Sequence, residues 1–337
     1  MGRERKKILI AAGGTAGHLY PAQQLASLLE SDCKILFAGH RLQESPYFQK
    51  EKFRFFEVVS APFGRSFFGP LLRGLFQAIR LFRREKPDVV VGFGSYHTVP
   101  LLLGAVLFRK KIILYEPNLT LGKVNQLFAP FAKRIAVQFL SGSKKFTPVP
   151  LFPWIRSAPL GKSAAREAYG LDPSRKTILI FGGSQGAKFL NEVMPKVSHK
   201  AQVIHLTGRE GEATAEHYAK AGIHAVVKPF ESNMAQAYAA ADLAICRSGA
   251  GTIAELIRYG VPSLLIPYPY AYGHQELNAR YIETRGGGHL LLQSQATPEV
   301  IGELIAKLDL DAMRVALRSA EEQNKSLIGF DAWVRQC

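Results

Sequence analysis

The sequence predicts an α/β fold of two doubly wound parallel-sheet domains that face a shared cleft, and three observations support this prediction. Short apolar runs alternate with helical patterns along all 337 residues. The runs are continuously apolar, which is typical of parallel strands that are covered on both faces. A glycine-rich turn follows the first strand of each half, at Gly13–Gly17 and again at Gly182–Gly186. Because ligands of open parallel sheets bind beyond the carboxyl ends of the strands, both turns are expected to line the cleft.

Six strands are predicted in each half of the chain. In the first half they are Lys7–Ala12, Lys34–Ala38, Phe55–Val59, Val89–Gly92, Ile112–Tyr115 and Arg134–Val137. In the second half they are Thr177–Phe181, Gln202–Leu206, Ala225–Lys228, Asp242–Ile245, Ser263–Ile266 and Gly288–Leu291. The stretch Ser141–Pro159 holds four prolines and few helix formers, which is typical of a linker. The predicted domains are therefore residues 1–153 and 154–325.

The composition excludes several classes of protein. Apolar residues make up 47% of the chain and charged residues 21%, as in ordinary folded proteins. Apolar runs such as Val99–Phe108 are about half as long as a membrane span, and the run after Lys7 is too short for a signal peptide. Three widely separated cysteines indicate neither a disulfide framework nor a cysteine metal site. We expect a soluble protein of a reducing compartment.

The net charge of +16 is concentrated in the first half of the chain. Residues 1–155 carry 23 lysines and arginines against 9 acidic residues, a net charge of +14, whereas residues 156–337 carry 20 against 18, a net charge of +2. A basic half predicts a polyanionic partner, which is a nucleic acid, an anionic membrane face or a phosphorylated substrate. Nucleic acid is the least favoured of these, because no recognised nucleic-acid-binding motif accompanies the charge.

The glycine turns are typical of phosphate-binding loops, in which backbone N–H groups and a helix N-terminus point at the anion. A dinucleotide site would need a carboxylate at the end of the second strand. The residues that follow that strand here are Gly39 and His40, and neither is acidic. Neither turn has the Gly-Lys-[Ser/Thr] of nucleoside triphosphate sites. A third such turn, Arg247–Thr252, precedes a helix predicted over Thr252–Arg258. In that helix Glu255 forms a capping box with Thr252 or accepts both hydroxyls of a ribose, and the two roles do not exclude each other.

Other polar residues follow further strands and are expected to face the cleft. They are Gly94–Thr98, Glu116–Asn118 and Tyr272–Asn278, whose amide side chains suit sugar hydroxyls. His18 is either a hydrogen-bonding residue at a helix start or a proton acceptor. The histidines lack zinc-site spacing, and Asp309-Leu310-Asp311 lies away from any strand end, so no metal is predicted.

The segment Gly69–Arg84 is amphipathic. It has a polar stripe of arginines and glutamine and a broad apolar arc, and an aromatic, glycine-rich loop precedes it. One interpretation is a helix that covers the sheet with its basic face in water. The other is partial insertion into an anionic membrane surface. The residues predicted to contact the membrane are Phe67, Phe68, Leu72, Arg73, Leu75, Phe76 and Arg80.

Taken together, the motifs resemble those of the bacterial peptidoglycan N-acetylglucosaminyltransferases of glycosyltransferase family 28, over nearly the whole chain. The matching motifs, in order, are Gly13–His18, Glu116-x-Asn118, Gly182–Ala187, Arg247–Glu255 and Gln275-x-x-Asn278. The resemblance implies a GT-B fold, made of two Rossmann-like domains. It implies inverting transfer of N-acetylglucosamine from UDP-GlcNAc to the 4-hydroxyl of N-acetylmuramic acid in lipid I, which forms lipid II. It also implies a peripheral protein at the cytoplasmic face of the cell membrane that needs no cofactor or metal.

Particular residues are assigned to this chemistry by the resemblance. The donor would contact Thr15, Ala16, Gly17, Asn118, Arg156, Ser184, the backbone of Glu231, Ala250, Gly251, Thr252, Ile253, Ala254, Glu255 and Gln275. The acceptor would contact Gly14, His18, Gly94, Ser95, Tyr96 and Thr98, with His18 as the candidate base. Residues 326–337 would cross back to pack on the first domain. Ser95 stands where the family usually has glycine, and Glu231 where it has an apolar residue.

The implied partners are UDP-GlcNAc, lipid I, the anionic membrane face and other cell-wall enzymes. Two alternatives stay open at this point. One is another UDP-sugar transferase of the same fold that acts on a membrane lipid such as diacylglycerol. The other is a catalytically idle scaffold that binds UDP-sugars.

Overall fold

The computed structural model describes residues 5–62, 64, 68–139, 143–150, 160–183, 186–208, 211–270 and 273–337. Phe67, Arg156, Ser184 and Tyr272, which the sequence analysis singled out, lie outside these ranges. The chain divides into two compact units. The first is Met1–Phe152 together with Ser326–Cys337, and the second is Pro153–Lys325.

The first unit is built on a seven-stranded, fully parallel sheet. Its strands are β1 (Lys7–Ala11), β2 (Lys34–Gly39), β3 (Phe55–Glu57), β4 (Val89–Gly92), β5 (Lys111–Glu116), β6 (Arg134–Val137) and β7 (Phe146–Pro148). They lie in the order β3-β2-β1-β4-β5-β6-β7. The order reverses between β1 and β4, so the loops after these two strands flank the switch point at which doubly wound sheets bind ligands.

Helices cover both faces of this sheet. The first four are α1 (Ala16–Leu29), α2 (Phe68–Glu85), α3 (Val99–Leu107) and α4 (Lys123–Phe128). Along β1, Ile8 and Ile10 belong to the core on one face, whereas Leu9 and Ala11 belong to the core on the other. Burial on both faces explains why the strands are continuously apolar.

The second unit repeats this plan with a six-stranded parallel sheet. Its strands are β8 (Thr177–Phe181), β9 (Gln202–Leu206), β10 (Ala225–Lys228), β11 (Leu243–Cys246), β12 (Ser263–Leu265) and β13 (Gly288–Leu290), in the order β10-β9-β8-β11-β12-β13. Its helices are α5 (Lys162–Glu167), α6 (Lys188–Val193), α7 (Gly211–Lys220), α8 (Met234–Ala240), α9 (Ala250–Tyr259), α10 (His274–Glu283), α11 (Pro298–Lys307) and α12 (Leu310–Lys325). The switch point lies between β8 and β11, again beside a glycine turn.

The last helix, α13 (Phe330–Gln336), belongs to the first unit. Phe330 stacks on Tyr115 of β5, with ring centroids 5.4 Å apart. The Arg335 guanidinium donates a hydrogen bond to the Asp32 carboxylate at 2.9 Å, and the Lys6 ammonium donates one to the Arg335 carbonyl at 2.7 Å. These contacts hold the C-terminal segment against α1 and β5.

The predicted fold class of two parallel-sheet α/β domains is confirmed, and all twelve predicted strands are present. The prediction that Ser141–Pro159 is entirely a linker is wrong, because Phe146–Pro148 forms β7. Pro148 argued against a strand there, but β7 lies at the edge of the sheet, where a residue without an N–H group is tolerated. None of the helices within the described ranges has the length and apolar character that a membrane crossing requires.

Candidate functional site

The loops after β1 and β4 lie side by side at the switch point of the first unit, since Ala11 pairs with Gly92. The first loop leads into α1, whose N-cap is Thr15 and whose first turn holds no acidic residue. Among the described residues, nothing accepts a hydrogen bond from the N–H groups of Gly14 to Gly17. Unpaired amides at the positive end of a helix dipole form a site for an anion.

His97 packs against the first loop and explains its two glycines. A Cβ on Gly13 would lie 2.9 Å from His97 Cβ, and one on Gly14 would lie 2.9 Å from His97 Cδ2. Gly14 also has a φ of +90°, which other residues rarely adopt. The loop can therefore pass this close to His97 because neither Gly13 nor Gly14 carries a side chain.

His18 lies between the two loops. Its Nδ1 is 3.3 Å from Thr15 Oγ1, and a Cβ on Gly94 would lie 3.9 Å from His18 Nε2. Burial lowers the pKa of His18 to about 4. The imidazole is therefore neutral near pH 7, the form in which it can accept a proton.

Ser95 and Thr98 shape the second loop. Ser95 has a φ of +68° and a ψ of 148°, a conformation suited to glycine, which fits the glycine that the family usually has there. Thr98 is fully buried, and its hydroxyl donates to the Ser95 carbonyl at 2.9 Å. Thr98, predicted to contact the acceptor, thus supports the loop with its hydroxyl, whereas Ser95 and Tyr96 remain half-buried.

The loop after β5 is organised by the buried carboxylate of Glu116. Its Oε1 accepts from the backbone N–H and the side-chain amide of Asn118, at 3.1 and 2.9 Å. Its Oε2 accepts from the Gly122 N–H at 2.8 Å and from Asn125 Nδ2 at 2.9 Å. Glu116 therefore fixes the position of Asn118, which was the predicted donor-contacting residue of this motif.

In the second unit, the loop after β8 contains Gly183 and Gly186 at positive φ, on either side of the undescribed Ser184. The loop after β11 leads into α9, with Gly249 as the N-cap. Within the described ranges, no acceptor bonds to the N–H groups of Ala250, Gly251 and Thr252. This second switch point therefore also offers amides to an anion.

The capping-box interpretation of Glu255 is wrong. The helix begins at Ala250 and not at Thr252, so Glu255 lies in its second turn, beyond reach of the cap. The hydroxyl of Tyr238 donates to Glu255 Oε2 at 2.7 Å, and the Tyr238 ring stacks on Tyr259 with centroids 5.2 Å apart. The half-buried carboxylate is thus oriented, which favours a role in ligand binding. Ile253 and Ala254, which were predicted to contact the donor, are fully buried.

Hydrogen bonds of Gln275 and Ser248 connect the loop after β11, the loop after β12 and the start of α10. Gln275 Oε1 accepts from the Tyr268 N–H at 2.9 Å, and the Ser248 hydroxyl donates to the Gln275 carbonyl at 2.7 Å. Arg247 donates to the carbonyls of Ile266 and Pro267, each at 3.0 Å. The arginine of the predicted phosphate turn therefore fixes the loop after β12.

Glu231 turns its side chain into the unit. It accepts hydrogen bonds from Lys228 Nζ at 2.6 Å, the Tyr169 hydroxyl at 2.9 Å and the Asn233 N–H at 2.8 Å. Burial favours the neutral carboxyl, but the hydrogen bond from Lys228 and the others outweigh it, so the pKa of Glu231 is lowered. The neighbouring Phe230 is 48% exposed. The Glu231 side chain is therefore engaged inside the unit.

Helix α2 exposes one apolar row and buries another. Phe68, Leu72 and Phe76 are 72%, 67% and 60% exposed, whereas Ala78, Leu81 and Phe82 pack into the core. Arg73 and Arg80 are exposed, Leu75 is half-buried, and the Arg80 guanidinium lies 5.7 Å from the Phe76 ring. The interpretation in which α2 exposes only its basic face to water does not fit this arrangement, because large apolar side chains are exposed beside the arginines.

No role was predicted for His97 from the sequence, although roles were predicted for the other members of Gly94–Thr98. His97 is 7% exposed, its Nδ1 lies 3.0 Å from Ser60 Oγ, and its ring stacks on His40 with centroids 5.6 Å apart. The available signal was that His40, Ser60 and His97 each follow a strand that ends at the same edge of one parallel sheet.

Comparison with known proteins identifies the family of both units. Residues 8–137 match the glycosyltransferase family 28 N-terminal domain, and residues 177–329 match the glycosyltransferase family 28 C-terminal domain. A protein of Protochlamydia amoebophila is 39% identical over 93% of this chain and 91% of its own length. A protein of Halothermothrix orenii is 36% identical over 92% of each chain. Both are named UDP-N-acetylglucosamine–N-acetylmuramyl-(pentapeptide) pyrophosphoryl-undecaprenol N-acetylglucosamine transferase.

Solved structures share the fold. The crystal structure of Acinetobacter baumannii MurG has a TM-score of 0.74 and 28% identity, over 94% of this chain and 95% of that one. The glycosyltransferase of kitacinnamycin has a TM-score of 0.76 at 15% identity, over 99% of each chain, and shows likeness of fold alone.

Proposed function

The chain belongs to glycosyltransferase family 28, and from this membership we propose that it transfers N-acetylglucosamine from UDP-GlcNAc to lipid I, which yields lipid II. The observation that carries the proposal is the 39% identity, over nearly the full length, to a relative named for this reaction. The glycine turns after β1 and β8 and the Arg247–Thr252 turn after β11 stand at the switch points of the two sheets, where ligands of such sheets bind.

The second unit binds the donor in this proposal. The amides at the start of α9, together with Ser184 and Arg156, receive the diphosphate. Glu255, oriented by Tyr238, accepts the ribose hydroxyls. The backbone at Glu231 meets the uracil, and Gln275 meets the sugar.

The first unit binds the acceptor, with its diphosphate at the loops that follow β1 and β4. His18 accepts the proton from the 4-hydroxyl of N-acetylmuramic acid as that oxygen attacks the anomeric carbon from the face opposite UDP. The C–O bond to UDP breaks with its electron pair on the diphosphate, and a β-1,4 bond forms. General-base assistance of this kind contributes roughly 10²–10⁴-fold to the rate.

We propose that no metal ion is needed. The charge that develops on the leaving diphosphate is met by the oriented N–H groups of the second unit, as in an oxyanion hole. One such donor is worth about 3–4 kcal/mol in the transition state.

The membrane is proposed to contact the basic first unit at α2. Phe68, Leu72 and Phe76 enter the interface, and Arg73 and Arg80 pair with anionic headgroups. The protein would then work as a peripheral protein at the cytoplasmic face, where lipid I and other cell-wall enzymes are its partners.

An assay with competing substrates tests the proposal. The purified protein is offered lipid I and diacylglycerol in the same vesicles, with UDP-GlcNAc or UDP-glucose as the donor. We expect transfer of N-acetylglucosamine to lipid I only. Product on diacylglycerol would support the other transferase, and donor binding without any product would support the idle scaffold.

A further inference from the structure

The imidazole of His97 is nearly buried and carries one occupied and one open ring nitrogen. Its Nδ1 lies 3.0 Å from Ser60 Oγ. Its Nε2 edge lies against the solvent-exposed Gly14, since a Cβ there would be 3.1 Å from Nε2. No described residue forms a hydrogen bond with Nε2. The open nitrogen thus belongs to the same surface as the unpaired amides of Gly14 to Gly17.

The groups that face His97 are neutral or cationic. His18 approaches from α1, His40 and Arg41 from the segment after β2, and Ser60 from the segment after β3. Burial lowers the pKa of His97 to about 4, with smaller contributions from His40, His18 and Arg41. Glu57 and Glu44 act on His40 and not on His97.

The Glu57 carboxylate is already engaged, because it accepts the N–H groups of Arg41 and Gln43, each at 2.8 Å. None of the described residues therefore offers His97 a carboxylate that could stabilise an imidazolium. It is neutral while the site is empty.

Building on the proposed acceptor site, we propose that His97 binds the diphosphate of the acceptor through Nε2 and takes up one proton from solvent as it does so. A dianion beside Nε2 supplies the opposite charge that the site lacks, which favours the protonated ring. The resulting N–H donates a charge-assisted hydrogen bond to a phosphate oxygen, while Nδ1–H donates to Ser60 Oγ. The proton returns to solvent when the product leaves.

Nuclear magnetic resonance of the histidine ring protons tests this directly. The probe is P1,P2-dimethyl diphosphate, a diester whose charge stays at −2 near neutral pH, so a change in protonation belongs to the protein. His97→Gln assigns the His97 signals in the full-length chain. We expect the titration midpoint of His97 to rise to near neutral pH in saturating probe, so that the bound ring is protonated, while the ring signals of the half-buried His289 in the second unit do not respond to the probe.

Two results would overturn the proposal in different ways. If the probe shifts the loop signals but leaves the His97 midpoint in place, or moves that of His18 or His40 instead, the role of His97 is wrong and the acceptor site stands. If the probe shifts no signal of residues 13–18 or 93–98, the acceptor site itself is wrong. The competing-substrate assay reports on the overall reaction independently of both.

Steady-state kinetics provide a second readout. In the unaltered protein the KM for lipid I should rise with pH between the free-state and bound-state midpoints of His97, by up to tenfold per pH unit, and level off above the bound-state midpoint, because a proton is taken up on binding only between the two. In His97→Gln this KM should be raised and flat with pH, with the KM for UDP-GlcNAc unchanged. Ser60→Ala keeps the ring and should keep the pH dependence, as should His289→Gln. The same pH dependence in His97→Gln as in the unaltered protein would contradict the proposal.

Discussion

At the scale of single residues, the structure explains why several positions carry the side chains they do. Gly13 and Gly14 leave room for His97, and Tyr238 orients Glu255. Ser95 is the exception, because it holds a glycine-like conformation without being glycine. Such strain costs about 1–3 kcal/mol and is retained only where neighbouring structure imposes it.

Ser95→Gly should therefore stabilise the protein, by about 1 kcal/mol once the greater freedom of glycine in the unfolded chain is subtracted. Urea unfolding measures the change. Ser27→Gly in the last turn of α1 is the control and should destabilise by about 0.5 kcal/mol or more, because glycine is the poorer helix former and the hydroxyl that accepts from Lys52 Nζ is lost. A loss of stability in Ser95→Gly equal to that of the control would show that Ser95 is not strained.

Glu255→Ala and His18→Ala should affect different kinetic constants. Removal of the Glu255 carboxylate should raise the KM for UDP-GlcNAc by about 10- to 100-fold, the worth of one or two hydrogen bonds to a charged group. His18→Ala should lower kcat with little change in that KM. Initial rates over a range of donor concentrations separate the two. An unchanged kcat in His18→Ala would remove His18 from the role of base.

At the scale of elements, strands were predicted better than the positions where helices begin. All twelve predicted strands exist, because burial on both faces leaves a continuously apolar run that few other structures produce. The start of α9 was placed two residues late, since Gly249 caps it without a side-chain bond and leaves no sequence signal. Likewise, the cluster of His97, Ser60 and His40 could be anticipated only from the strand order, because three separate strands bring its members to one edge of the sheet.

Helix α2 carries the prediction that belongs to this scale. Replacing Phe68, Leu72 and Phe76 together by serine should weaken binding to anionic vesicles by at least tenfold, because the apolar area that enters the interface is lost. Vesicle sedimentation measures it. Leu28→Ser, at another exposed leucine of the first unit, is the control. Binding of the triple variant equal to that of the control would contradict membrane contact through α2.

At the scale of the whole molecule, the burial of neutral histidines links stability to pH. His205 is fully buried between β9 and α7, with Nδ1 3.0 Å from the Tyr218 hydroxyl, and burial lowers its pKa to about 3. His97 behaves similarly, with a pKa of about 4. These histidines stay neutral when folded and become protonated when unfolded, so the unfolded state binds more protons below pH 6.5.

The free energy of unfolding should therefore fall as pH decreases from 6.5, by about 1 kcal/mol per buried histidine between pH 6.5 and 5.5. Urea unfolding across this range measures the slope. His205→Phe should make the slope shallower even if the variant is less stable overall. A slope that is the same in His205→Phe as in the unaltered protein would contradict the assignment of a neutral His205.

The whole account depends on transfer of a sugar from UDP to a lipid-linked acceptor with inversion and without a metal ion. The most direct measurement is the anomeric configuration of the product formed from UDP-GlcNAc and lipid I in excess EDTA, read from the proton coupling at the new glycosidic carbon. We expect a β-linked product, formed as fast as without the chelator. An α-linked product, or no product until a divalent cation is restored, would contradict it.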